Sequence, residues 1–344
     1  MSPDLVNAVY YPSWKVYKGC PPSCLDVRSV THIFYAFLLD EFGDLKKEVD
    51  GEAGCLRALA KLKRNHRHLK TVVSLGGGSG SAEFPKLAAG EESRTTFAKE
   101  ARKFCDLYDF DGIDIDWEHP STSGEGENFV RLIEAAREEL PHTRYILSAA
   151  LPVGQYTLKH IDLGAAGRVL DHLNLMGYDF MGAWTDVSGH QAQLLPPSDN
   201  PDEVYPTLRK SVSGGVDYIT SRGFPAHKIV VGIPAYGRFF PEATGPGQPF
   251  SARAGEVDYR DMADEWVANA AVDCRAAVAS FVDSECERGF VSFDVPKTVE
   301  AKARYVRANG LGGLFYWTGV SDRGGDDSLV SAGFKALRQD KEEL

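Results

Sequence analysis

The chain has 344 residues, 43% of them hydrophobic and 25% charged, a globular balance with room for one large domain or two ordinary ones. Its formal net charge of −11 lacks the basic footprint that nucleic acid or an anionic membrane surface demands, whereas a neutral polymer would tolerate it. No apolar run is long enough to span a bilayer.

From the N-terminus, Met1-Ser2-Pro3-Asp4 shows no basic segment followed by an apolar one. No leader is therefore visible, which leaves a leaderless protein or one numbered after leader removal. Strand-like runs follow at Ala8–Tyr11, Thr31–Leu38, Lys70–Leu75, Gly112–Glu118, Tyr145–Leu151, His172–Met176, Lys228–Pro234 and Gly313–Trp317. Helical periodicity separates most of them, at Gly54–Asn65, Ser93–Tyr108, Gly126–Leu140, Glu203–Arg222 and Thr298–Asn309. Near-continuous apolar strands alternating with helices predict an α/β fold, a closed (β/α)8 TIM barrel. A doubly wound open sheet is the alternative, but it would want a phosphate loop with a helix directly behind it.

The stretch from Ala235 to Gly312 is too long for an ordinary connection. Its Gly245-Pro246-Gly247-Gln248-Pro249 turn and strand-like Val278–Val282 and Gly289–Phe293 predict a small α+β insertion between the seventh and eighth strands. The expected domains are a barrel from 1–238 and 293–344, with the inserted module at 239–292. The acidic tail Asp340–Leu344 is expected to fray. Six cysteines show no CxxC spacing. Cys55 and Cys105 fall in helical segments and are expected to be buried thiols. Cys20/Cys24 and Cys274/Cys286 are near enough in sequence to pair in an oxidising compartment, although a chain of this size does not need staples.

The most informative run is Asp111-Gly112-Ile113-Asp114-Ile115-Asp116-Trp117-Glu118. Residues two apart in a strand share a face, so Asp114, Asp116 and Glu118 form a ladder opposite Ile113, Ile115 and Trp117. Asp111 breaks that parity and belongs at the strand's entrance. Stacked acids repel one another wherever water is scarce. A solvated edge strand and a hard-cation site are the competing explanations. An edge seldom ends in Asp-Trp-Glu, and a cation site usually recruits more carbonyl and Asn ligands, so no metal is expected. In a barrel, chemistry sits at the C-terminal strand ends, which places Glu118 at the mouth with aromatic residues from several other strands.

This run resembles the DxxDxDxE signature of glycoside hydrolase family 18 chitinases. The resemblance extends along nearly the whole chain: Ser74-Leu75-Gly76-Gly77 is similar to the family's SxGG, and Met176-Gly177-Tyr178-Asp179 to its MxYD. The run Gly232–Arg238 is similar to its strand-seven motif, and Gly310–Gly313 with Tyr316-Trp317 to its strand eight. The inserted module resembles a shortened chitinase insertion domain.

The resemblance implies an endo-acting, retaining hydrolase of β-1,4-linked N-acetylglucosamine polymers that needs no cofactor. In such enzymes the sugar's own acetamido carbonyl attacks the anomeric carbon and gives an oxazolinium ion. It implies Glu118 as the acid, its ionisation disfavoured by Asp116. Asp116 would orient the acetamido group and share a proton with Asp114, and Tyr178 would donate to the acetamido oxygen. Asp179 would hold sugar hydroxyls, and Trp317 would lie beneath the distorted ring. Tyr10, Phe37, Gly77, Met176, Tyr236 and Arg238 are implied around the pocket, with Trp14 and Trp184 as platforms for outer sugars. Arg238 could instead form a structural ion pair. Asp111 and Ser74 would support the acids.

Two positions depart from the family pattern. Gly78 stands where many members carry a leaving-side Trp, and His119 where Tyr is common. Expected partners are chitin and chitooligosaccharides, bound by a monomer. The competing functions are an endo-β-N-acetylglucosaminidase acting on N-glycans and a non-catalytic chitin lectin, the latter disfavoured by the presence of Glu118.

Overall fold

The computed structural model describes residues 5–38, 54–285 and 287–339. Eight parallel strands close into a barrel: β1 (Val6–Pro12), β2 (His32–Leu38), β3 (Lys70–Gly76), β4 (Gly112–Asp116), β5 (Ile146–Pro152), β6 (His172–Met176), β7 (Ile229–Pro234) and the last strand of the chain, β13 (Gly313–Trp317). β13 pairs with both β1 and β7, which completes the ring. Outward-facing apolar side chains such as Ile113, Ile115, Leu147 and Val231 join one large core with the helices outside. A second cluster, including Val6, Ala8, Tyr10, Phe34, Val72, Val230 and Phe315, fills the barrel interior. Filled interiors are general in this architecture, so reactive groups can stand only at the rim.

The helices stop where local chemistry stops them. Ser123–Glu139 begins with a capping box, in which Thr122 and Glu125 satisfy each other's backbone N–H groups. The amphipathic pattern over Glu203–Arg222 does not form one helix. Short 3-10 turns at Pro201–Glu203 and Pro206–Arg209 precede a helix at Val212–Ser221 capped by Ser211. Pro206 removes a backbone donor and disfavours helix at the residue before it, which outweighs the apolar periodicity.

Beyond β7 the chain leaves the barrel almost at once. A five-stranded antiparallel sheet contains β8 (Tyr236–Phe240), β9 (Gly255–Asp258), β10 (Ala271–Asp273), β11 (Val278–Asp283) and β12 (Gly289–Phe293), in the order β10-β11-β12-β8-β9. Tyr236-Gly237-Arg238 therefore does not end the seventh barrel strand but opens this sheet. Ala235 is the junction: its N–H donates to Trp317 O at 2.7 Å, and its carbonyl accepts from Tyr259 N at 2.9 Å. Cys20 and Cys24 are not joined in a disulfide, and Cys55 and Cys105 are buried, as expected. Cys286, residues 1–4 and the tail 340–344 lie outside the described residues.

Candidate active site

β4 carries the acids into the barrel because its register with its neighbours aligns polar residues at one level. Ser74 of β3, Asp114 of β4 and Ser148 of β5 are direct cross-strand partners. The Asp114 carboxylate accepts hydrogen bonds from Ser148 Oγ at 2.6 Å, Ser74 Oγ at 2.7 Å, the Tyr10 hydroxyl at 2.8 Å and Asn174 Nδ2 at 3.2 Å. Asn174 also donates to the Tyr10 oxygen at 2.9 Å. Burial raises the Asp114 pKa, while these hydrogen bonds oppose the rise. The expected coupling of Asp114 with Asp116 acts here through charge, since Asp114 is one of the groups that raise the Asp116 pKa. The four donors converge on the Asp114 carboxylate from β1, β3, β5 and β6.

Asp116 is one step nearer the mouth and also buried, and its Oδ1 has no hydrogen-bond partner among the described residues. Its pKa is pushed well above the usual carboxylate range by burial, then by the charges of Glu118 and Asp114. The strand ends there. Trp117 turns outward and stacks on Phe84 at 5.4 Å, anchoring the chain just before the acid. Glu118 lies beyond the strand, half-buried at the rim. Burial raises its pKa, and the Asp179 carboxylate raises it further. The sequence expectation named Asp116 as the cause; the structure puts burial first and adds Asp179 from across the mouth, while the mutual repulsion of Asp116 and Glu118 falls mainly on the more deeply buried Asp116.

Ser81 holds this corner together. Its Oγ donates toward Gly77 O at 2.8 Å and Asp116 O at 3.1 Å and accepts from the Glu118 N–H at 2.8 Å. On the opposite side of the mouth, Tyr178 packs edge-on against Tyr236 and Phe315. Burial, then the charges of Asp116, Asp179, Glu118 and Asp114, hold its hydroxyl protonated far above its ordinary range. Asp179 Oδ1 accepts from Tyr236 OH at 2.7 Å and from Arg238 Nη2 at 2.8 Å and Nε at 3.0 Å. Arg238 also pairs with Glu256 at 3.0 Å and lies 4.8 Å above the Trp184 ring. The ion-pair alternative for Arg238 is thus realised, and the arginine ties β8 of the inserted sheet to the barrel rim.

The aromatic wall comes from β13, β1 and β2. Trp317 stacks with Phe37 at 5.7 Å and lies 5.6 Å from Tyr10 and 6.4 Å from Trp14. Trp14 is 40% exposed, whereas Tyr10 is fully buried. Phe37 needs a glycine opposite: a Cβ on Gly77, whose φ is +71°, would come within 2.4 Å of its ring. Met176 is half-buried against the barrel interior.

Asp111 sits apart from these groups, at the entrance of β4, where it accepts from Thr71 N at 2.8 Å and pairs with Lys63 at 3.3 Å. Sequence reasoning missed Ser81, Ser148 and Asn174. The last two carried a signal, being lone polar residues within apolar strand runs. Ser81 carried none, since a serine after glycines reads as ordinary loop.

Residues 6–322 match the family model described as Glycosyl hydrolases family 18. Chitinase 1 of Aphanocladium album is 32% identical over 366 aligned residues, covering 96% of this chain and 85% of that protein. Endochitinase 1 of Metarhizium robertsii is 33% identical with the same coverage. Among solved structures, the Group IV chitinase of Ostrinia furnacalis in complex with allosamidin superposes with a TM-score of 0.85 at 29% identity, covering 97% of this chain and 99% of that one. The match runs from the first barrel strand to beyond the last and takes in every acid described above, so the chain belongs to glycosyl hydrolase family 18.

Proposed function

We propose that the protein is an endo-acting chitinase that cleaves β-1,4 bonds between N-acetylglucosamine units with retention, through the substrate's own acetamido group. The observation that carries this reading is the contrast between two neighbouring acids. Glu118 is half-buried at the rim with a raised pKa, and Asp116 is buried beside it with one carboxylate oxygen that no donor among the described residues reaches. An acetamido N–H supplies such a donor, and hydrogen-bonding it orients the acetamido carbonyl toward the anomeric carbon.

Glu118, protonated, gives its proton to the glycosidic oxygen as the C–O bond breaks. The acetamido oxygen forms the new bond to the anomeric carbon, and the leaving chain departs as an alcohol. Asp116 balances the positive charge that develops on the acetamido group, and Tyr178 donates to its oxygen. The Glu118 carboxylate then takes a proton from water as the water oxygen attacks the same carbon and opens the ring. Two inversions give net retention. Asp114 fixes Asp116 electrostatically, Trp317 forms the floor beneath the reacting ring, and Trp14 and Trp184 extend the groove to either side. The inserted sheet, which opens at Tyr236 and closes at Phe293, forms one wall of that groove beside the barrel. The enzyme works as a monomer without a cofactor.

Replacing Glu118 with Gln tests this reading. Turnover of chitohexaose should fall by at least about a hundredfold while oligosaccharide binding persists. Near-normal hydrolysis would overturn it. Fully deacetylated glucosamine oligomers should resist the wild-type enzyme, and rapid cleavage of them would exclude neighbouring-group participation. Preferential release of a high-mannose glycan from a glycoprotein, with chitohexaose left intact, would replace chitin with N-glycans as the substrate.

A further inference from the structure

β6 ends at Met176, and no helix or strand forms between there and Pro201. Asp179 lies in that stretch with a left-handed φ of +58°, a conformation that costs energy in any residue other than glycine and persists only where its surroundings enforce it. Among the described residues, its carboxylate is held by β8: Tyr236 and Arg238 supply its hydrogen bonds, and all of them end on Oδ1. Where β8 sits relative to the segment after β6 therefore decides where the Asp179 charge sits relative to Glu118.

One residue spans both segments. The carbonyl of Gln191 accepts from the N–H of Phe180, directly after Asp179, at 3.0 Å. Its side-chain Nε2 donates to Tyr236 O, at the first residue of β8, at 2.8 Å and approaches Ser292 O of β12 at 3.5 Å. Its own N–H donates to Ser292 Oγ at 3.3 Å. Gln191 is 0% exposed, and its Oε1 has no hydrogen-bond partner among the described residues. A buried amide whose oxygen goes unpaired costs stability that an apolar side chain of similar size would not. What the amide supplies, and an apolar side chain cannot, is the donor to β8.

We propose that Gln191 is a positioning residue for the acid–base step: by tying the backbone after Asp179 to the start of β8, it fixes where the Asp179 carboxylate stands relative to Glu118. This rests on the chitinase reading above and adds what keeps Asp179 in place. The groups that face Asp179 are Tyr236 and Arg238 of β8, Tyr178 beside it and Glu118 beyond β4, with Glu256 of β9 acting through Arg238. His190, next to Gln191, lies 3.2 Å from Ser292 Oγ and edge-on to Phe290, and Asp273 and Lys302 are the charges that act on it. Burial lowers its pKa to about 4, so it is neutral where Glu118 titrates. An effect of Gln191 on the pH profile therefore passes through Asp179.

Gln191→Met keeps the bulk and removes the donor. The alkaline limb of kcat/KM on chitohexaose should move to lower pH by about half a pH unit, the direction expected for Asp179→Asn, because a displaced Asp179 charge acts less strongly on Glu118. In the Asp179→Asn background the same substitution should move the limb no further. A shift that persists in that background, or no shift in the wild-type background, would overturn the assignment. Carboxyl carbon NMR titration of Glu118 in the free protein, its signal identified by its loss in Glu118→Gln, should show the same pattern without any substrate. Failure of the wild type to cleave chitohexaose, with that titration pattern intact, would overturn the chitinase reading while upholding the placement of Asp179 by Gln191. If Gln191→Met does not fold, Ser292→Ala, which removes the acceptor of the Gln191 N–H, should shift the Glu118 titration in the same direction, and no shift there would overturn the assignment.

Discussion

The backbone N–H of Glu118 donates to the side-chain oxygen of Ser81 at 2.8 Å, and that hydroxyl in turn reaches Gly77 O and Asp116 O. One serine thus joins the segment after β3 to the second residue beyond β4, just where the chain ceases to be held by the ladder. Ser81→Ala leaves a partly buried N–H and two carbonyls without this partner, at a cost of about 1–3 kcal/mol. The expected result is a fall in kcat of about tenfold or more, with KM for chitooligosaccharides changed much less, because the acid is misplaced while the stacking surfaces stay. Ser81→Thr, which keeps the hydroxyl, should recover much of the loss. A KM effect alone would show that Ser81 shapes the groove rather than the acid.

Asp179 and Arg238 should move the pH profile in opposite directions. The working form of Glu118 carries a proton, so the alkaline limb of kcat/KM follows its raised pKa. The Asp179 charge contributes to the rise, and removing it with Asp179→Asn lowers the pKa and shifts that limb to lower pH. Arg238 partly neutralises Asp179 from 2.8 Å. Arg238→Met therefore strengthens the Asp179 field and shifts the limb upward. Each shift should be about one pH unit or less, since burial is the larger cause. Shifts of the same sign would refute the coupling.

A buried ion pair fastens the return from the inserted sheet. Lys302 Nζ lies 2.8 Å from both carboxylate oxygens of Asp294, and neither side chain is exposed. Asp294 directly follows β12, whereas Lys302 belongs to the barrel helix Pro296–Ala308. Lys302→Met should cost about 3–5 kcal/mol by strandling a buried carboxylate. Adding Asp294→Leu should restore part of that stability. Urea titration of the two variants measures both effects, and an additive double loss would contradict the account.

At the opposite end of the barrel, the rings of His32 and His172 meet edge to face at 5.7 Å. Burial lowers both pKa values, that of His32 to about 3, with His172 and Lys70 adding to the shift. A base with a depressed folded pKa is neutral in the fold and takes up protons on unfolding. Its contribution is complete above the unfolded value near 6.5 and declines as pH falls toward 3. Between pH 7 and pH 5, His32 alone should remove up to about 2 kcal/mol of stability. Denaturation midpoints of wild type and His32→Gln should therefore converge as pH is lowered. Parallel curves would assign the acid sensitivity to other groups.

The alternation of Ile113, Asp114, Ile115 and Asp116 was legible because a strand's two-residue period is set by the local backbone, and all four residues lie where that period puts them. So was the alternation of strands and helices, since apolar strands buried on both faces leave few other architectures. Motif resemblance added the chemistry that periodicity could not carry. The tertiary structure decided what faces what. Ser148 and Asn174, 34 and 60 residues beyond Asp114, become its donors only because barrel closure aligns β4, β5 and β6. Arg238 left the barrel for the inserted sheet, yet returns to Asp179 across the mouth. Glu118 has its acidity set by burial and by a carboxylate from another strand end, not by its sequence neighbour alone. Periodicity is a property of adjacent residues, whereas burial and field depend on which distant segments the fold brings within a few ångströms.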